Sequence, residues 1–185
     1  MSSNIDSDNS EQTLHKLQNK WTLWAHLPHD TDWSINSYKL ISTFGSVEEA
    51  IVLFETIPDI MVTNCMLFLM KDKINPTWED IHNRKGGSFS YKVTNKNVCE
   101  VWKDLTYVLV GETISTNLPF VNSVTGITIS PKKNFCIVKI WLSSCEYQDA
   151  SLIDCSNEIG IDVIHQFQSK SVTSQQKLGT QSLVS

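Results

Sequence analysis

The chain has no excess of basic charge: its 15 Lys and Arg residues face 20 Asp and Glu, a net charge of −5. A protein that grips long stretches of nucleic-acid backbone carries a basic field. The deficit excludes that class and leaves, for any nucleic-acid ligand, a grip on few phosphates. Long apolar runs are missing too. Stretches such as CMLFLM at 65–70 fall far short of the ~20 residues that a membrane-spanning helix needs. The polar start, MSSNIDSDNSEQ, lacks the basic-then-apolar layout of a secretory leader. Five cysteines are an odd set with no C-x-x-C pair, which suggests neither a zinc site nor a disulfide framework. Reduced thiols at Cys65, Cys99, Cys136, Cys145 and Cys155, in core or half-buried sites, are the expectation. The chain is expected in the cytoplasm, and in the nucleus as well. No internal repeat or linker interrupts it. Nor is there a nucleophile–base pair, a metal-ligand spacing or a phosphate-cradling glycine motif, and the histidines at 15, 26, 29, 82 and 165 are scattered. Catalytic residues, metal and cofactor are therefore not expected.

What is present fits one globular domain. The 185 residues are 41% hydrophobic and 19% charged, enough for a single good core. Residues 1–13 are expected to be disordered, 14–170 to form the domain, and 171–185 to be a flexible tail. WTLWAHL (21–27) and SYKLISTF (37–44) read as strands, the second with Tyr38, Leu40 and Phe44 on one face. In SVEEAIVLFETIP, Ser46 and Glu49 have capping-box spacing, apolar residues recur at helical period, and Pro58 stops the run. NCMLFLM and SFSYKV (88–93) read as strands. NKNVCEVWKDLTYVLVGE is the clearest helix, with Gly111 where a C-terminal cap belongs. A Pro- and Asn-containing loop follows. GITIS (126–130) and FCIVKIWL (135–142), joined by PKKN, form a hairpin with two lysines at its tip. A shorter helix over about 146–158 and a strand at 161–168 complete the pattern. Strands and helices do not alternate, so an α+β fold follows: an antiparallel sheet with helices on one face.

Tryptophan is the outlier, at 21, 24, 33, 78, 102 and 141. Trp21, Trp24 and Trp102 lie in periodic segments and are expected to pack in the core. Trp33, in HDTDWSIN, and Trp78, in INPTWEDI, lie in loop-like stretches. Each either packs under its loop or meets a ligand. Two converging loop tryptophans sandwich a planar ring, with about 1–3 kcal/mol from each stacked face, and a cationic ring gains more. Glu79 adds an acceptor suited to paired N–H donors on a guanine edge.

The blocks HKLQNKWTLWAHL, DWSINSYKLISTFGSVEEA, INPTWEDIHNRKGG, VWKDLTYVLVGE, KIWLSSCE and QFQSK occur in that order. Together, over about 15–170, they resemble the eukaryotic translation initiation factor 4E family, which binds the 7-methylguanosine cap of mRNA. The resemblance implies a curved antiparallel sheet of about eight strands backed by three helices on the convex face. It places Trp33 and Trp78 on the two faces of the methylated base, Glu79 and the Trp78 backbone N–H on its edge, and Trp141 near the N7 methyl group. Methylation at N7 makes the base cationic, so a carboxylate between two π faces favours it over plain guanine.

The phosphate contacts depart from the family. Lys132 stands where an arginine is usual and loses the bidentate fork. Ile137 replaces a phosphate lysine, and Ser88 an arginine. Lys139 shares a strand face with Ile137 and Trp141, and is expected to take over, with Lys133. Arg84 and Lys85 are weaker candidates. Solvated hairpin charges are the alternative for these lysines. His165 and Lys170 align near the border of the bound cap, where surface roles are the simpler expectation.

A second surface is implied on the convex face, where a helical peptide of an initiation scaffold or regulatory protein docks. His15, Lys16, Leu17, Val47, Ile51, Lys103, Asp104 and Tyr107 fall there. Val47 and Asp104 keep the family pattern. Lys16 replaces a proline, Ile51 a docking tryptophan, and Lys103 and Tyr107 leucines. Loss of a tryptophan removes a typical hot spot, and a groove lysine penalises an apolar anchor unless the partner brings an acid. Capped mRNA and such a peptide are the expected partners of a monomeric initiation factor. A cap-binding repressor or storage factor that does not recruit the usual scaffold is the alternative, and an enzyme acting on caps has no motif behind it.

Overall fold

The structure is a computed structural model that describes residues 14–154 and, as backbone, 166–169. The two tails, Cys155, His165, Lys170 and the segment 155–165 lie outside the described residues. Seven strands make one open, curved antiparallel sheet: β1 (Lys16–His26), β2 (Lys39–Ser46), β3 (Met66–Lys71), β4 (Gly87–Thr94), β5 (Val124–Pro131), β6 (Phe135–Leu142) and β7 (Gln166–Ser169). Their spatial order is β2-β1-β3-β5-β6-β4-β7, and every neighbouring pair runs antiparallel. The helices are α1 (Val47–Thr56), α2 (Asp59–Asn64), α3 (Val98–Val110) and α4 (Leu118–Ser123). α1 and α2 pack on α3, which lies across β1, β4 and β5. The α+β architecture and antiparallel sheet match the expectation.

Alternation divides each strand between two environments. Leu67 and Leu69 of β3, Ile127 and Ile129 of β5, and Val138 and Ile140 of β6 are all fully buried under the helices. They meet Trp102, Leu105 and Phe54 there, and Trp21 completes this core. The opposite face carries a second cluster of Tyr38, Phe68, Met70 and Trp141, with Trp24 and Trp78 packed against it. Trp24 thus packs on the far face rather than in the main core.

Several local features differ from the sequence expectation, each for a physical reason. Pro58 ends α1 and also starts α2, since its carbonyl accepts the Met61 N–H at 2.8 Å. Asn64 is consequently helical, and β3 begins at Met66. The loop before β5 holds α4, capped by Asn117, whose Oδ1 accepts the Phe120 N–H at 3.0 Å. Gly111 is right-handed at φ −79°. Glu112 takes the left-handed conformation at φ 56°, the Thr113 N–H returns to Val108 O at 3.0 Å, and Asn19 holds the Glu112 carboxylate. In 146–154 the only helical turn is a 3-10 turn at Ala150–Leu152. Asp149 takes the Ser151 N–H at 2.9 Å, a side-chain bond that competes with helix, and Ile153 turns into the core. Leu40 is 56% exposed and Phe44 3%. A register irregularity pairs Leu23 with Ser42 but Trp24 with Leu40, so Ile41 is supernumerary and the two residues change faces.

The capping box of α1 is complete. Ser46 Oγ accepts the Glu49 N–H at 3.3 Å, and Glu49 Oε2 accepts the N–H groups of Ser46 at 3.0 Å and Gly45 at 2.9 Å. Ser46→Ala leaves the Glu49 amide without that acceptor. It is expected to cost about 1 kcal/mol, read as a lower urea midpoint at unchanged slope.

Candidate functional site

Two loops and four strands, β3, β4, β5 and β6, build one cavity of about 610 Å³ on the face away from α1–α3. The first loop, 72–86, is held by two side chains. The Asp80 carboxylate accepts the N–H of Asn75 at 3.0 Å and of His82 at 2.9 Å, and pairs with His82 Nδ1 at 2.9 Å. Burial would raise its pKa, but the His82 and Asn75 amides and the His82 ring outweigh that and hold it below the ordinary carboxylate range. Asn83 is fully buried and donates both amide hydrogens, to Asn75 O at 3.1 Å and Thr77 O at 2.9 Å. At Gly86 the chain presses on the end of β6. A Cβ there would lie 1.6 Å from Leu142 O, closer than any side chain tolerates. Trp78 and Glu79 therefore project from a loop fixed at both ends.

The second loop carries Trp33. His26, buried on β1, has Nε2 2.7 Å from Asp32 O. A carbonyl only accepts, so Nε2 carries the proton. The Asp32 carboxylate in turn takes the Ser34 N–H and hydroxyl, both at 2.8 Å, bonds that lower its pKa. Trp33 lies flat on His26, with ring centroids 4.1 Å apart and planes at 1°. It is nevertheless 56% exposed, so its other face is open.

An unbroken series of ring contacts joins the two loops. Trp78 stacks on Trp141 at 4.0 Å and 16°. Trp141 meets Phe68 edge-on at 6.4 Å, Phe68 meets Tyr38 at 5.2 Å, and Tyr38 meets His26 at 5.2 Å. Burial, and then the Glu79 carboxylate, push the Tyr38 hydroxyl upward, which puts the charge of Glu79 within reach of this wall.

Trp33, Trp78, Trp141, Lys132 and Lys139 all line the cavity. Glu79, Arg84 and Lys133 are exposed and do not line it. The Lys133 carbonyl accepts from Asn95 Nδ2 at 3.4 Å. Lys139 Nζ lies 5.8 Å from the Trp78 ring centroid, and burial, then Lys132, lower its pKa. Ile137 lines the cavity beside it. Lys92, Ser90, Thr128, Ser130 and Tyr38 also line it, and sequence reasoning had passed over them. Alternation along SFSYKV would have put Ser88, Ser90 and Lys92 on one face.

On the helix face, Val47 is 40% and Ile51 46% exposed, and Leu17 packs at the core margin. His15 accompanies them: its carbonyl accepts the Val47 N–H at 2.8 Å, and Nδ1 lies 2.5 Å from Glu48 Oε1. Lys16 and Asp104 are exposed. Lys103 Nζ lies 2.5 Å from Glu55 Oε1, which also accepts the Tyr107 hydroxyl at 3.0 Å. The acid expected from a partner is thus supplied by the chain's own Glu55.

The family model described as Eukaryotic initiation factor 4E matches residues 16–181. The Candida albicans eukaryotic translation initiation factor 4E is 31% identical over 152 residues, covering 77% of this chain and 71% of the relative. The human protein of that name is 28% identical over 156 residues, covering 80% and 70%. The Dictyostelium discoideum one is 28% identical over 144 residues, 74% of this chain but 56% of the relative. Among solved structures, C. elegans eIF4E-3 with the 4E-binding protein Mextli and a cap analog superposes with a TM-score of 0.76. It is 23% identical and covers 88% of this chain and 96% of that one. Schistosome eIF4E complexed with m7GpppG and 4E-BP gives 0.75 at 23% identity, covering 89% and 92%. At those identities the two structures establish the fold.

Asn83→Ala leaves two loop carbonyls without their donor, and is expected to cost about 1–3 kcal/mol by urea unfolding. Asp80 has a depressed folded-state pKa, so its contribution is present above the ordinary carboxylate range and is lost as pH falls through the depressed value. The stability gap between wild type and Asp80→Asn is therefore full at neutral pH and closes on acidification.

Proposed function

The chain belongs to the eukaryotic initiation factor 4E family, and on that premise we propose that it binds the 7-methylguanosine cap at the 5′ end of mRNA in translation initiation. The observation that carries this reading is the delivery of Trp33 and Trp78, from separate loops, to one cavity. The base enters between the two rings, each stacked face contributing about 1–3 kcal/mol. Its positive charge adds cation–π attraction. The Glu79 carboxylate accepts the two N–H groups of the guanine edge, the Trp78 backbone N–H serves O6, and Trp141 lies near the methyl group. Any rotation of Trp78 toward the base gives up its stack on Trp141, about 0.5–1.5 kcal/mol, and gains a cationic ring in exchange. Lys132 and Lys139 meet the phosphates, with Lys133 and Arg84 at the rim. Binding of this kind requires no catalytic group, and the protein acts in the cytoplasm as a monomer, with a nuclear pool.

The helix face supports a helical peptide partner, an initiation scaffold or regulatory protein. Val47 and Ile51 remain exposed on α1, while Lys103 and Tyr107 are tied to Glu55. A partner therefore meets an apolar ridge with its nearby cation already neutralised, which fits a peptide of altered specificity. The same lock favours, as the second reading, a cap-binding repressor or storage factor that does not recruit the usual scaffold. Pull-down from native cytoplasm with wild type and Ile51→Trp separates them. A helical-peptide partner held by wild type supports initiation, and one gained only by the variant supports repression.

Tryptophan fluorescence tests the cap site itself. Quenching by 7-methyl-GTP is expected at roughly 30-fold lower concentration than by GTP, the ratio for about 2 kcal/mol of desolvated cation–π attraction. Glu79→Ala is expected to weaken the methylated ligand by about 10- to 100-fold, as for hydrogen bonds to a charged group. Equal quenching by the two nucleotides overturns the reading.

A further inference from the structure

Beneath the tryptophans the cavity floor is a lattice of three strands in register. Ser90 of β4 and Thr128 of β5 both pair with Lys139 of β6. One row toward the hairpin tip, Lys92 and Ser130 pair with Ile137. One row the other way, Ser88 pairs with Trp141. Neighbouring strands lie ~4.8 Å apart and same-face rows ~6.8 Å apart, so two hydroxyls flank the Lys139 stem directly. Those hydroxyls are unusual. Thr128 is 2% exposed, and Thr128 Oγ1 and Ser90 Oγ are buried with no hydrogen-bond partner among the described residues. A buried hydroxyl left unpaired costs free energy, so a row of them on a cavity wall calls for an acceptor from outside.

Charge selects that acceptor. Among the described residues lining the cavity, every charged side chain is a lysine: Lys92, Lys132 and Lys139. This holds in a chain of net charge −5. Burial, and then the charge of Lys132, lower the pKa of Lys139, and a bound anion would relieve both. Lys139 Nζ reaches the Trp78 ring, whereas Lys92 Nζ lies over Phe135 at 4.6 Å, one row further from the base.

We propose that Ser90, Lys139 and Thr128 form an oxyanion site for the first phosphate of the cap, one row nearer the base than Ile137, with Lys92 meeting the next phosphate. The site rests on the cap-binding reading above and adds a specificity to it. Both hydroxyls donate to phosphate oxygens, and the ammonium moves from the Trp78 face to the same group as the cationic base takes its place. A lysine is a point charge without the planar fork of arginine, and the two flanking donors supply the directional contacts it lacks. Most of the phosphate contribution to binding then comes with the first phosphate.

Fluorescence titration with 7-methylguanosine and its 5′-mono-, di- and triphosphates tests this, each protein's affinity for the nucleoside serving as its own reference. For wild type the largest step is expected between nucleoside and monophosphate. In Ser90→Ala/Thr128→Val that step shrinks by about tenfold, the worth of charge-assisted hydrogen bonds, and Lys139→Met abolishes most of it. Lys92→Met instead reduces the step to the diphosphate. The ligand-free double hydroxyl variant melts at or above the wild-type temperature, because two unpaired buried groups are gone; a purely structural role for the hydroxyls would lower it. A monophosphate step unchanged in the double variant overturns the oxyanion site and leaves cap binding standing. Failure of 7-methylguanosine and every nucleotide to quench wild type overturns both.

Discussion

A strand gives each face every second residue, and this sheet uses both faces. On β6, Cys136, Val138 and Ile140 close the core under the helices while Ile137, Lys139 and Trp141 line the cavity. On β4, Phe89, Tyr91 and Val93 face the core, and Ser90 and Lys92 line the cavity. A slip of one residue between these strands would carry Lys92 into the core and three large side chains out of it. Each such side chain is worth about 1.5–3 kcal/mol when buried, more than any single contact in the cavity. Burial on the helix side therefore decides where the lysines stand on the other side.

The loops need a different kind of fixation, because no hydrophobic face holds them. Polar groups do this instead: buried Asn83 and Asp80 under the Trp78 loop, buried His26 and the exposed Asp32 in the Trp33 loop. The ring series from Trp78 through Trp141, Phe68, Tyr38 and His26 to Trp33 ties both loops to β6, β3 and β1. The loops are anchored where they join the sheet, and the exposed face of Trp33 lies at the end of that series.

How much of this was legible depended on the range of the interaction. The capping box at Ser46 and Glu49 spans four residues and was fully readable. So was the period-two argument that put Lys139, Ile137 and Trp141 on one face, and the same argument applied to SFSYKV would have found Ser90 and Lys92. Over the described residues 146–154 the expected helix is replaced by a 3-10 turn for a local reason, because Asp149 binds the Ser151 amide, and for a distant one, because Ile153 is drawn into the core. Gly111 had the residue type of a left-handed cap, but Asn19, 93 positions from Glu112, holds the residue after it. The pairing of Lys103 with Glu55 joins α3 to α1, a contact that no pattern within either helix announces. Convergence of Trp33 and Trp78 was legible only through the family resemblance, since the 44 residues between them carry no local record of it.

The Trp78–Trp141 stack has a thermodynamic side as well. A contact of about 1 kcal/mol keeps the paired arrangement ahead of an unpaired one by roughly fivefold. Any ligand that needs the covered face of Trp78 binds a minor population, and its apparent dissociation constant rises by about that factor. The factor falls on every such ligand alike, so affinity drops while the ratio between ligands is kept. A neutral purine that stacks no better than Trp141 recovers little of this difference, whereas a cationic ring exceeds it, so the self-stacked pair acts as a common threshold that the stronger stacker crosses first.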